Sequence, residues 1–159
     1  MITPVLPSVA ELTSALEQTA TEIAALLVSV AAKQDWKPGD DHWSFRYIAA
    51  HMEACELECV LVRLRQIVAD PKAEFDFYDN DGWDFDDRDL LDSVEGFERG
   101  RAQIIAFARS LSPDRLARTG HHRTFGDVSV QRYLRIDLNH DREHLQDIKE
   151  MITTLGRGV

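Results

Sequence analysis

Three histidines have the types and spacing to do chemistry. His140 and His144 sit four residues apart in N-H-D-R-E-H-L, just over one helical turn, so both imidazoles leave one helix face and can share a cation. His51 stands in a second helical stretch, three residues after Ile48 and four before Cys55. Three imidazoles from two facing helices make a neutral set of nitrogen donors, with one or more coordination positions left for water or substrate. Such donors suit zinc or nickel better than calcium or magnesium, without choosing among zinc, nickel, iron and copper. A cation held this way can polarise a carbonyl, lower the pKa of bound water towards about 7, or hold a thiol as its thiolate. The competing reading is ordinary hydrogen-bonded imidazoles, because i, i+4 histidines arise by accident in many helices. Against it, His140 and His144 share their face with Tyr133, Ile148 and Met151, at the edge of an apolar stripe.

Other side chains near the three histidines have candidate roles. Asp141, Glu143, Glu53 and Glu58 are close enough in sequence to serve as a general base, although most helix charges are simply solvated. Asp137 or Asp141 could accept the free N–H of a ligating histidine and fix its tautomer. Asp137, three residues before His140, is better placed than Asp141, which lies about 100° around the helix from that ring. Cys55, one turn beyond His51, is either a further ligand or a buried inert thiol, and the second reading is preferred. His121 and His122, in T-G-H-H-R-T-F-G-D, either line the mouth of the site or decorate a loop.

Four amphipathic helices must position these groups. The first is predicted over Ser8 to Lys33: Ser8 and Glu11 form a capping box, and Leu12, Leu16, Ile23, Leu27 and Val30 make the stripe. After D-W-K-P-G-D-D, Ser44 caps a second helix that fades near Asp70-Pro71, with a buried face of Ile48, His51, Met52, Cys55, Cys59 and Val62. A third runs from about Arg88 to Ser110–Pro113 on Leu91, Val94, Phe97, Ile104, Ile105 and Phe107, with Gly96 and Gly100 weakening its centre. The fourth spans Ser129 to Leu155, with Gly156 as its stop, on Val130, Leu134, Leu138, Asp141, Leu145, Ile148 and Ile152. No segment alternates convincingly as a strand. The expected fold is therefore all-α, a four-helix bundle in a single domain over residues 1–159. Between helices two and three, Asp70 to Asp87 is acidic and aromatic, carrying Phe75, Phe77, Tyr78, Trp83 and Phe85. At about 3.3 Å per residue it reaches nearly 60 Å, enough to return along a helix of roughly 39 Å, so helices two and three can run parallel. Its aromatics pack either on their own bundle or on a second subunit, the former being preferred.

Composition narrows the function. With 28 acidic against 18 basic residues the net charge is −10, which repels a phosphate backbone and an anionic membrane surface, so no nucleic-acid or membrane partner is expected. No apolar run approaches the roughly 20 residues that span a bilayer, and M-I-T-P-V-L-P-S lacks the basic start of a signal peptide. Cys55 and Cys59 lie four apart in one helix, where a disulfide would close almost no loop. A cytoplasmic protein with reduced thiols is the expectation.

Two stretches resemble a known family. W-S-F-R-Y-I-A-A-H, Trp43 to His51, is similar to the helix-two motif of the DinB-like (YfiT/DinB) superfamily, and H-D-R-E-H-L-Q-D-I, His140 to Ile148, to its helix-four motif. The similarity extends through F-E-R-G-R-A-Q-I-I-A-F and the glycine-bearing connection before helix four. It implies an up-down-down-up bundle with a long crossover between helices two and three, and it places the family's metal triad on His51, His140 and His144. It further implies a divalent cation, often zinc or nickel, and a thiol-dependent transferase or isomerase that uses a low-molecular-weight thiol. The resulting expectation is a metal-dependent thiol S-transferase or hydrolase acting on a small-molecule substrate. The alternative is a non-catalytic metal- or ligand-binding bundle, a homodimer in its simplest form.

Overall fold

The structure is a computed structural model that describes residues 6–158. Helix α1 (Val9–Ser29) begins as its sequence dictates: Ser8 Oγ accepts from the Glu11 amide, and the Glu11 carboxylate accepts from the Ser8 amide at 2.8 Å. Leu12, Leu16, Ile23, Leu27 and Val30 are all buried, and a 3₁₀ turn over Ala31–Lys33 ends the element.

The second predicted helix is two. Helix α2 (Phe45–Ala54), capped by Ser44, passes through a π-helical turn at Cys55–Val60 into α3 (Leu61–Ala69). A π turn carries one extra residue, so the faces after it slip by about 100°. Val62, expected in the core, is consequently 40% exposed, whereas Val60, Leu61, Leu64, Ile67 and Val68 are buried.

Helix α4 (Leu90–Arg109) is capped by Asp89, whose carboxylate accepts from the amides of Leu91 and Asp92. Its core face runs Leu90, Val94, Phe97, Arg101, Ile104 and Ala108, one residue out of phase with the expected Leu91, which is exposed. Its two glycines do more than weaken the helix. A Cβ on Gly100 would lie 2.8 Å from the Glu56 Cβ, and one on Gly96 would lie 2.0 Å from a Glu53 carboxylate oxygen. Both permit close approach of α4 to the second-helix region, but the obstacle at Gly100 is fixed to backbone and that at Gly96 ends a long side chain. Gly100→Ala is therefore expected to destabilise by about 1–3 kcal/mol despite alanine's better helix propensity, and Gly96→Ala by less. Thermal melts of the two variants check the order; a stabilised Gly100→Ala would contradict it.

After the short α5 (Pro113–Leu116) the chain forms strands, contrary to expectation. Strands β2 (Thr119–His122) and β3 (Gly126–Ser129) pair antiparallel, and β1 (Glu74–Phe75), from the start of the acidic connection, pairs parallel with β2. Strands of two to four residues are too short to display alternation. Gly126, at φ +71°, supplies the left-handed residue of the hairpin. Ser129 then caps α6 (Val130–Arg157), which continues through Gly156 and ends at Gly158.

Helix α1 packs on α4 and α6, and α2 packs on α4. One apolar cluster joins the first half of α1, all of α3, the second half of α4 and the first half of α6. The other joins the second half of α1, α2, the first half of α4 and the second half of α6. Arg101 lies between Phe97 of the second cluster and Ile104 of the first, and Asp141 between Leu138 and Leu145, so a buried polar layer separates the two. Among the described residues no helix is long and apolar enough to cross a membrane.

Candidate metal centre

His51 comes from α2, one turn before the π segment, and His140 and His144 come from successive turns of α6. Their ring nitrogens converge. His140 Nε2 lies 3.1 Å from His51 Nε2 and 3.1 Å from His144 Nε2, and the three rings offer ligand atoms all within 4.8 Å of one another. Burial holds all three below the ordinary imidazole range, with neighbouring imidazoles adding to the effect at two of them: His140 falls to about 4 and His144 to about 3. Each ring is therefore neutral near pH 7 and carries a single N–H.

Those protons cannot satisfy the cluster. Asn80 Oδ1 stands 2.5 Å from His51 Nδ1, so His51 donates there and its Nε2 is a bare lone pair. His140 Nε2 must then be protonated to meet it. That one hydrogen cannot point in line at both His51 and His144, and if it is absent two lone pairs face each other. His144 Nδ1, buried, has no hydrogen-bond partner either. A cation among the three Nε2 atoms turns all three lone pairs to one use and leaves the His144 proton on Nδ1, 3.7 Å from the Asp147 carboxylate, so the residues fit a metal better than they fit a hydrogen-bonded triad.

The surroundings orient the rings. Trp43 stacks on His144 at 5.9 Å between centroids and lies 4.8 Å from the His51 ring. Asn80 is buried in the acidic connection, and its backbone carbonyl accepts from Tyr47 Oη at 3.0 Å. Sequence reasoning missed Asn80, because nothing local marks one asparagine in D-N-D-G as turning inward. Asn80→Leu is expected to lower cation affinity roughly 10- to 100-fold by freeing the His51 tautomer and ring, measured by competition with a chromophoric chelator.

The two aspartates proposed to hold histidine N–H groups do something else. Asp141 Oδ2 and Oδ1 accept from Arg101 at 2.6 and 2.9 Å, and Thr19 Oγ1 also bonds Asp141. Glu56 takes the other edge of the same guanidinium at 2.8 and 2.6 Å. Asp137 lies 3.5 Å from Arg101 with its Oδ2 unbonded, near His140 but not hydrogen-bonded to any imidazole. Burial opposes the Arg101 charge, but three carboxylates outweigh it, and burial with the neighbouring Glu56 pushes Asp137 well above the carboxylate range. Burial raises Glu56 in the same way. Arg101 and Glu56 were overlooked, although an arginine in phase with Val94, Phe97 and Ile104 is a signal available in the sequence.

The remaining candidates divide. Cys55 Sγ lies 3.6 Å from His51 Nε2, but burial pushes its thiol far up and keeps it protonated. Glu53 pairs with Arg88, and Glu58 is exposed and accepts from Tyr78. His121 is exposed beside Asp127 at 2.9 Å. His122 is fully buried on β2 and, with Glu143 and Asp137, lines the cavity of about 540 Å³ onto which the three histidines open. Phe77 and Tyr78 form part of its wall, while Phe85 is buried against Ala50 and Ala54, pinning the connection to its own bundle.

The family model described as the DinB superfamily matches residues 8–148. Among solved structures, YfiT from Bacillus subtilis, described as a probable metal-dependent hydrolase with an unusual four-helix bundle topology, aligns with a TM-score of 0.81. The two share 16% identity over 98% of this chain and 92% of that one. A search of curated proteins finds no match.

Proposed function

The chain belongs to the DinB superfamily, and from that premise we propose a divalent-metal-dependent enzyme that acts on a small molecule in the cavity beside His51, His140 and His144. The observation that carries this reading is the convergence of three neutral imidazole nitrogens that no placement of protons satisfies. These residues would hold the cation, with zinc or nickel favoured by an all-nitrogen set. Such a cation supplies Lewis acidity, which lowers the pKa of a water or thiol and stabilises charge developing on a substrate oxygen.

The chain supplies the rest. Asn80 fixes the His51 proton on Nδ1, Trp43 walls the rings, and Asp137, which lines the cavity and is raised by burial well above the carboxylate range, is placed to exchange a proton with a leaving group. Neither Cys55 nor Cys59 is an available nucleophile, since burial holds both as thiols. The attacking group therefore comes from outside, as water in a hydrolase or as a low-molecular-weight thiol in an S-transferase. The description of YfiT favours hydrolysis. Chain direction is read as up-down-down-up with the crossover over the acidic connection, supported by the sharing of each apolar cluster between opposite halves of α1 and α4.

The test is to measure bound metal in purified protein, then screen ester and amide hydrolysis and thiol conjugation with the loaded form. Turnover abolished by chelation supports the proposal. Saturable ligand uptake without turnover identifies a non-catalytic binder instead.

A further inference from the structure

The same cavity holds a second group of polar atoms that the metal reading does not use. His122 Nδ1 accepts from the backbone amides of Thr124 at 3.0 Å and Phe125 at 3.4 Å, so this ring carries its proton on Nε2. That Nε2–H faces a terminal nitrogen of Arg63 at 3.4 Å, and the guanidinium is donor-only. Two donors at this distance cannot bond each other; they can both bond one acceptor placed between them. Burial and the Arg63 charge keep His122 neutral, which preserves this arrangement.

Arg63 is built into place without a counter-ion. It donates to Tyr133 Oη at 2.9 Å and to the Asp76 carbonyl at 2.5 Å, and it lies over the Phe75 ring at 5.3 Å from the centroid. Among the described residues no carboxylate lies within 4.0 Å of it, although the chain carries a net charge of −10. Arg101, fully buried, shows what this protein does with a cation meant only for structure: it surrounds it with acid. A fixed, half-buried guanidinium that none of the acids lining the same cavity pairs with is instead a recognition element.

We infer that Arg63 and His122 form a carboxylate-binding subsite, so that the molecule taken into the cavity is a small organic monocarboxylate whose acid group docks there while its reacting group faces the three histidines. Val60, Phe125 and Ile136 along the wall suit an apolar body between the two ends. Asp79, Asp81 and Glu143 at the cavity disfavour a dianion such as phosphate. The inference rests on reading the cavity as a substrate chamber, but the subsite needs no metal.

The experiment titrates 3-phenylpropionate, its neutral amide and inorganic phosphate into the full chain by calorimetry, with and without prior chelation, while the imidazole ¹⁵N and ¹H signals of His122 are followed by NMR. The expected result is saturable binding of the carboxylate in chelated protein, at least about 10-fold tighter than the amide or phosphate and weakened at least about 10-fold by Arg63→Met. The His122 signal should begin as the Nε2–H tautomer and shift on binding, a readout in the native chain that holds even if Arg63→Met does not fold. Equal binding of acid and amide, or tighter binding of phosphate, would overturn the inference. So would carboxylate binding that needs the metal and survives Arg63→Met, since the acid would then sit on the cation. Because the decisive arm uses metal-free protein, failure of the metal reading and failure of the subsite register separately.

Discussion

His140→Ala is expected to take the protein from one tightly held divalent cation per chain to nearly none, with affinity falling by more than about 100-fold, the upper end of what loss of an orienting neighbour costs. His140 is the central member of the cluster, its Nε2 lying 3.1 Å from each of the other two. His51→Ala and His144→Ala should follow, each leaving two donors. Metal analysis after dialysis reads the outcome, and full occupancy in all three variants would refute the site. Acidity sharpens the test. Protons compete with a cation for imidazole lone pairs, and burial lowers His140 from 6.5 to about 4 and His144 to about 3. Occupancy should therefore persist at pH 5.5, where unperturbed imidazoles are mostly protonated, and fall only as the pH drops towards 4. Bound cation also stabilises the native state alone, so chelation should lower the melting temperature of the native protein and leave that of His140→Ala unchanged.

Arg101→Met should produce the largest loss of stability. Its guanidinium, 2% exposed, is the cation for Glu56 and Asp141 and lies within 3.5 Å of Asp137. It also donates to the Leu16 carbonyl at 3.1 Å, so it ties α1, α4, α6 and the π turn together. Methionine fills much of the volume but leaves buried carboxylates without a counter-charge, which costs about 3–5 kcal/mol. For a chain of this size that is a drop on the order of 10 °C in melting temperature. Neutralising the partners in the same background, by Glu56→Gln with Asp141→Asn, should recover most of it, because the penalty comes from uncompensated charge rather than lost packing. A single variant that melts within a degree or two of the native chain would show that the cluster contributes little.

Much of this arrangement was legible in the residues themselves. The stripe on α1, its Ser8 cap and the i, i+4 spacing of His140 and His144 are local signals, and the helices and convergent rings follow from them. The rest depends on groups distant in sequence. Asn80 reaches His51 only because the acidic connection folds back over α2, and no period encodes that return. The partners of Asp141 were misjudged because helical geometry shows which face a side chain leaves but not what stands opposite, and what stands opposite is Arg101 on another helix. The sheet escaped because its strands are shorter than one reading window, and His122, which looked like loop decoration, became a buried residue once β2 paired on both edges.

The π turn at Cys55–Val60 makes the length of this helix a constraint in its own right. The residues before it are phased for the histidine chamber and those after it for the apolar interior, like two gears keyed to one shaft a tooth apart. Straightening the turn into α-helix while keeping every residue would rotate Leu61–Ala69 by about 100° relative to His51 and swing Val62 inward, whereas removing one residue together with the π turn would leave both faces where they are. Homologous chains are accordingly expected either to keep the π turn or to lose it together with one residue, and not to lose one without the other.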